Sequence, residues 1–269
     1  MPDDVRLTVR ERVATLLLDR PATRNAIDRT VMARLAELLD EIDVGVERGE
    51  IGVVAVRGGG ERVFISGGDL KELALIRTEA DAVAMSRTMR SVLDRVATLP
   101  VPTVALLNGD AYGGGGEVAV ACDIRVAALD VKIGFNQVAL GIMPAWGGIE
   151  RLTTLVGRGR ALHLLLTGAV LTAGEAAAVN LVEIAVPRQD FEETAGGLLT
   201  QLAAVPAAPA RAIKSLVGSV APASSPELAA VASSEFARSW VAEEHWAAVE
   251  AAARRRAALR AAAVGPSAP

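Results

Sequence analysis

The stretch from Asn108 to Gly148 holds the residues best placed to do chemistry. Gly113, Gly114, Gly115 and Gly116 stand in a row, and a carboxylate, Glu117, follows them directly. The apolar run Val101–Leu107, broken by Pro102 and Thr103, reads as a buried strand, and Glu117–Cys122 reads as a helix. A strand, a glycine loop and a helix start leave backbone N–H groups unpaired at the positive end of a helix. Phosphate is the first ligand to weigh. The Walker loop needs Lys and then Ser or Thr after its last glycine, where this chain has Glu117 and Val118. A carboxylate there repels phosphate, and the dinucleotide pattern G-x-G-x-x-G does not fit either. A neutral carbonyl that gains negative charge only in a transition state fits better, with Glu117 as its acid or base. Taken alone, the loop is equally well explained by tight packing of a helix on a strand.

A second glycine turn separates the two explanations. Phe64-Ile65-Ser66-Gly67-Gly68-Asp69-Leu70 follows the buried run Ile51–Val56 and leads into a helical stretch. Two strand–glycine–helix turns, each offering a free N–H, are what a two-donor oxyanion hole requires. With Arg24-Asn25-Ala26, Asn108-Gly109, Cys122-Asp123, Leu140-Gly141, Pro144, Gly147-Gly148, Leu166-Thr167-Gly168 and Asn180-Leu181-Val182 in order, the chain resembles the enoyl-CoA hydratase/isomerase (crotonase) family. The resemblance covers residues 5 to 260.

That resemblance implies an α/β fold, a crotonase-like spiral of ββα units with a C-terminal helical region. It implies an acyl-CoA thioester as substrate, CoA arriving with the substrate, and no metal or other cofactor. Gly68 and Gly114 take the positions of the oxyanion donors and Glu117 that of the acid/base. Hydratases of the family carry a second Glu. Aligning Gly134 and Leu140-Gly141 puts Gln137 there, and a neutral amide cannot exchange a proton at ordinary pH. Acyl-CoA contacts are implied at Arg24, Asn25, Ala26, Phe64, Ser66, Gly67, Asp69, Leu70, Tyr112, Gly113, Gly141 and Trp146. Trp146 resembles the Trp of family decarboxylases that act on ethylmalonyl-like substrates. Hydration of a trans-2-enoyl-CoA is the default reaction; decarboxylation or isomerisation are the rivals, and a non-catalytic acyl-CoA binder is the alternative of another class. A homotrimer or a dimer of trimers is expected.

Several residues read as bystanders. Glu150 is expected to be a solvated helix-start acid, His163 a helix-packing histidine, and Arg254-Arg255-Arg256 a solvated face or a CoA-phosphate contact. His245 matches no catalytic position, and Cys122 reads as a buried, inert thiol.

The elements that position these residues follow from pattern. The 269 residues are 51% hydrophobic and 3% aromatic, so the core is built from Ala, Val, Leu and Ile. A net charge of −4 offers no field for nucleic acid. One cysteine excludes an internal disulfide and fits a reducing cytoplasm, and no apolar run reaches the roughly 18 residues of a membrane span. Val13–Leu18 reads as the first strand and Asp28 opens a helix through Val46. An amphipathic helix runs Glu79–Leu99. Short strands are expected at Asp123–Ala127 and Lys132–Phe135, helices at Gly148–Val156 and Gly159–Leu166, and a C-cap at Gly168. Thr172 and Glu175 form a capping box, and Leu181–Val186 reads as the last strand. Strands alternating with helices predict a parallel sheet. Residues 1–195 are expected to form the core with the acyl-CoA site, and 196–269 a helical oligomerisation or lid region broken by Pro206, Pro209, Pro222 and Pro226, with a disordered tail from Val264.

Overall fold

A computed structural model describes residues 4–220 and 225–263. The chain opens on a strand the sequence reading missed, β1 (Val5–Arg10), which pairs antiparallel with β2 (Val13–Leu18). Glu11 and Arg12 make the turn at φ 50° and 65°, the positive values a tight hairpin needs. β1 is an edge strand, mostly exposed, so its alternation never produces an apolar run.

Helix α1 (Arg29–Glu47) starts where Asp28 accepts a hydrogen bond from the Val31 N–H at 2.8 Å. There follow β3 (Val53–Gly58), β4 (Val63–Ile65), α2 (Leu70–Leu73), α3 (Glu79–Thr98), β5 (Thr103–Leu107), β6 (Asp110–Tyr112), α4 (Gly114–Ala121), β7 (Ile124–Ala128) and β8 (Lys132–Gly134). A 3-10 turn, Asn136–Leu140, leads to α5 (Gly148–Val156), α6 (Arg158–Thr167), β9 (Val170–Thr172), α7 (Ala173–Ala178) and β10 (Ile184–Val186). Helices α8 (Phe191–Ala204), α9 (Ala207–Val220), α10 (Pro226–Val241) and α11 (Glu243–Ala263) complete the described chain.

Two sheets stand behind the site. The larger has the order β1-β2-β3-β5-β7-β10 and is parallel from β2 onward; the smaller, β4-β6-β8-β9, is parallel except at β8–β9. A strand of the first sheet, a strand of the second and a helix repeat as β3-β4-α2, β5-β6-α4 and β7-β8-α5, the expected succession of ββα units. The all-parallel expectation therefore fails at β1 and β9. It also follows that the Ser66–Asp69 turn leaves β4, not β3. Strands β4 and β6, three residues each, carry too little periodicity to be read from sequence, whereas β8 falls where a short strand was expected.

Buried amides tie the repeats together. Asn108 donates to the carbonyls of Gly58 (2.9 Å) and Gly60 (2.6 Å), and Asn25 to that of Val63 (2.7 Å). Each lets a strand end of one repeat grip the next without burying an unpaired carbonyl. The caps at Gly168 (φ 63°) and Thr172/Glu175 form as predicted.

In the C-terminal part, Pro209 sits inside the first turn of α9 and breaks nothing, as its missing N–H has no helical partner there. The unforeseen break falls at Ala242. Pro222 and the tail from Val264 lie outside the described residues. Helix α10 packs along α3 and lowers Phe236 and Trp240 onto the core. Among the described residues no helix is long and apolar enough to cross a membrane.

Candidate active site

The glycine turns meet at the wall of a cavity of about 570 Å³, a volume that includes its open mouth. Gly68 forms a parallel bridge with Ile27, in which Ile27 donates to Gly67 O (2.9 Å) and Asp69 donates to Ile27 O (2.9 Å). In such a bridge the middle residue's own N–H points away, here toward the cavity side. Gly114 is the first residue of α4, so its N–H has no acceptor within the helix. A Cβ placed on Gly67 would lie 3.1 Å from Gly114 N, so the two turns abut. The Trp146 indole covers both: a Cβ on Gly114 would come 2.1 Å from Trp146 Cζ3, and one on Gly68 would stand 3.8 Å from Trp146 Cη2. Any side chain at Gly114 thus collides with the indole, and a substitution there cannot isolate the loss of the amide.

Glu117, one turn into α4, is 2% exposed. Its Oε2 accepts from Trp146 N (2.7 Å) and Gly148 N (3.0 Å), and its Oε1 from Gln137 Nε2 (3.0 Å). Burial, opposed by these backbone donors and reinforced by Glu150, raises its pKa to about 7. Gly148 has to be glycine, since a Cβ there would lie 2.5 Å from Glu117 Cγ. Gln137, on the 3-10 turn, is 7% exposed, and its Oε1 has no hydrogen-bond partner. Glu117 is the one ionisable side chain among the described residues that line the cavity.

Of the residues singled out from sequence, Ser66, Gly67, Gly68, Leu70, Gly113, Gly114, Glu117, Gln137 and Trp146 line this cavity. The others do not. Asn25 and Phe64 are fully buried framework, and Ala26 is packed beside them. Arg24 is exposed and offers its carbonyl to Ser66 N (3.2 Å). Asp69 caps α2, accepting from Lys71 N (3.1 Å). Tyr112 donates to Asp110 (3.1 Å), and Gly141 caps the 3-10 turn at φ 71°. Sequence reasoning missed the roof, Phe236 and Trp240 from α10, together with Leu73, Met85, Asn136 and Met143. The aromatic pair four residues apart, in a chain so poor in aromatics, was the available signal.

Glu150 corrects its expectation. It is buried, not solvated, and pairs with Arg90 at 2.7 Å, both side chains 4% exposed. Arg90 also lies 3.7 Å from Asp94, which pairs with Arg151, and Arg151 donates to Trp146 O (3.1 Å). This chain of charges, buried except at half-exposed Asp94, backs the Trp146–Gly148 segment that receives Glu117. Arg90→Met is expected to lower stability by about 3–5 kcal/mol, because Glu150 is left buried and uncompensated. Urea unfolding of Arg90→Met against wild type measures that loss, and an unchanged midpoint would show that the buried pair contributes nothing to stability.

His163 is exposed on α6, not packed as expected. His245 is fully buried between Trp240 and Trp246, with Nδ1 2.6 Å from Leu140 O; burial lowers its pKa and keeps it neutral. It latches α11 to the turn that carries Gln137. Cys122 is buried, and desolvation pushes its thiol to about 12, so it is inert. Arg254, Arg255 and Arg256 are exposed.

Residues 8–245 match the family model described as enoyl-CoA hydratase/isomerase. A probable enoyl-CoA hydratase of Mycobacterium bovis is 34% identical over 207 residues, 77% of this chain and 78% of that protein. The short-chain-enoyl-CoA hydratase of Clostridium acetobutylicum is 33% identical over 184 residues, 68% of this chain and 69% of that protein. The crystal structure of enoyl-CoA hydratase from Bacillus anthracis superposes with a TM-score of 0.76 at 28% identity, covering 94% of this chain and 96% of that one.

Proposed function

The chain belongs to the enoyl-CoA hydratase/isomerase family, and from that premise we propose that it adds water to a trans-2-enoyl-CoA. The observation that carries this reading is Glu117, a buried carboxylate with a pKa of about 7 in the same cavity wall as Gly68 and Gly114. The thioester oxygen lies between the N–H groups of Gly68 and Gly114. Ionised Glu117 takes a proton from water as the oxygen adds to C3, and electron density moves onto the thioester oxygen as an enolate. Protonated Glu117 then returns the proton to C2, which restores the carboxylate and completes the addition of H₂O. Removing one oxyanion donor typically costs ~10²–10³ in rate, so the amides matter as much as the acid.

One carboxylate serves both proton transfers because Gln137 is neutral, and that observation supports a second reading. A 3-enoyl-CoA can be isomerised by a single base that removes a proton from C2 and returns it at C4. Decarboxylation is less well served: among the described residues no cationic side chain lines the cavity to hold a second carboxylate, which would face Glu117. The proposal invokes no metal and no cofactor beyond CoA. Exposed Leu162 and Leu166 on α6, with Ile213, Leu216 and Val217 on α9, are apolar surface that assembly into a homotrimer or a dimer of trimers would cover.

The test is loss of crotonyl-CoA absorbance set against conversion of trans-3-hexenoyl-CoA by the purified protein. Hydration is expected to dominate. Isomerisation without hydration would transfer the assignment to the second reading, and calorimetric binding with neither would mark a binder.

A further inference from the structure

The segment that receives Glu117 is held from its far side. In a trans peptide the C=O and N–H point in opposite directions, so a group that grips the carbonyl also aims the amide behind it. Trp146 N, which donates to Glu117 Oε2 at 2.7 Å, shares a peptide plane with Ala145 O, and Ala145 O accepts from Ser86 Oγ of α3 at 3.1 Å. Ser86 Oγ also lies 3.3 Å from Ser233 Oγ of α10. A hydroxyl has one hydrogen and a carbonyl has none, so Ser86 donates to Ala145 O and Ser233 donates to Ser86. The bonds run in one direction, from Ser233 to Ser86, through the Ala145–Trp146 peptide, to the carboxylate. Bonds aligned in this way polarise and strengthen one another. Both hydroxyls are buried, on helix faces whose neighbouring buried residues include Ala82, Met89, Ala232 and Phe236. A hydroxyl in such a place is costly unless it is bonded. Ser86 does not line the cavity, so any effect on chemistry passes through Glu117. Ser233 shares its face of α10 with Phe236 and Trp240, three and seven residues on, which roof the cavity.

We propose that Ser86 is a positioning residue for Glu117: its hydroxyl, supported by Ser233, fixes and polarises the peptide whose N–H holds Glu117 Oε2. This rests on the reading of Glu117 as the base. The charged groups packed around Glu117 are Glu150 and Arg151 of α5 and Arg90 and Asp94 of α3, and Ser86→Ala alters none of them. Strands β4 and β5 carry no charged residue, Gln137 of the 3-10 turn is neutral, and Asp110 and Tyr112 of β6 are bonded to each other.

The test is exchange of the C2 protons of butyryl-CoA in D₂O, followed against pH, which assumes neither hydration nor isomerisation. Backbone donors favour the ionised carboxylate, so a weaker Trp146 donor raises its pKa and leaves less of the base ionised below pH 7. Strengthening of about 10–30% per bond in such a chain corresponds to a rise of about 0.3 pH unit when Ser86 is removed. Ser86→Ala should therefore exchange about two-fold more slowly than wild type at pH 6 and match it above pH 8, with butyryl-CoA affinity within about two-fold at both. Ser86→Thr keeps the hydroxyl and should restore the wild-type midpoint. Loss by one factor at every pH, as a smaller folded fraction would give, overturns the proposal, as does an unmoved midpoint in folded Ser86→Ala. Wild type that binds butyryl-CoA and exchanges nothing would instead overturn the reading of Glu117 beneath it.

Discussion

Glu117→Gln is expected to lower turnover by at least about 10²-fold while acyl-CoA affinity stays within a few-fold, because it deletes a proton-transfer group and little shape. The fold can accept the amide. Its oxygen keeps the hydrogen bonds from Trp146 N and Gly148 N, and its NH₂ faces Gln137, whose unpartnered Oε1 can rotate in to accept. The variant should be the more stable protein above pH 7. A carboxyl whose pKa rises from 4.5 unfolded to about 7 folded releases its proton earlier in the unfolded chain, so stability declines as pH rises from 4.5 to about 7 and then levels off. That difference corresponds to about 3 kcal/mol at alkaline pH, which Gln does not incur. Urea unfolding at pH 5 and pH 8 measures it. A variant retaining more than about a tenth of the wild-type rate would show that Glu117 is not the acid/base.

The second large effect is a gain. Gln137→Glu places a carboxylate where Nε2 now donates to Glu117 Oε1 at 3.0 Å. Two carboxylates that close hold one proton between them near neutral pH, since each disfavours ionisation of the other. The pair then offers one base and one acid at once, the division of labour implied for two-Glu hydratases. Hydration of crotonyl-CoA is expected to rise by about 10²-fold or more around pH 7 and to fall away on both sides. Any single-base isomerisation should decline. A folded variant with no gain in hydration would show that Gln137 does not stand where a second acid could work.

The outline of the fold was legible because its long elements carry period and caps: Asp28 before α1, the stripe of α3, and the Thr172–Glu175 box. The smaller sheet was legible only at β8, since β4, β6 and β9 have three residues each and no pattern that marks them. The glycine row was ambiguous for a physical reason. Both readings are compatible: a Cβ on Gly115 would lie 1.9 Å from Ile65 O and one on Gly116 3.1 Å from the Phe135 ring, while the N–H of Gly114, the first residue of α4, has no acceptor within the helix. Site residues inside local motifs, such as Gly68, Glu117 and Gln137, reach the cavity. Those supplied by distant helices did not announce themselves. Phe236 and Trp240 arrive from α10, and Arg90 meets Glu150 across 60 positions of sequence. Asn25 and Phe64 carry family motifs because the turns between repeats need them, not because they face the cavity.

The claim at the centre of this account is that Glu117 and the two glycine amides move a proton at the carbon next to a thioester. Exchange of the C2 protons of butyryl-CoA in D₂O, followed by NMR, tests that step without assuming what reaction completes it. The account predicts exchange by wild type that grows as pH rises through about 7, and none by Glu117→Gln at matched occupancy. Bound butyryl-CoA that wild type leaves unexchanged, or equal exchange by the two proteins, would contradict it.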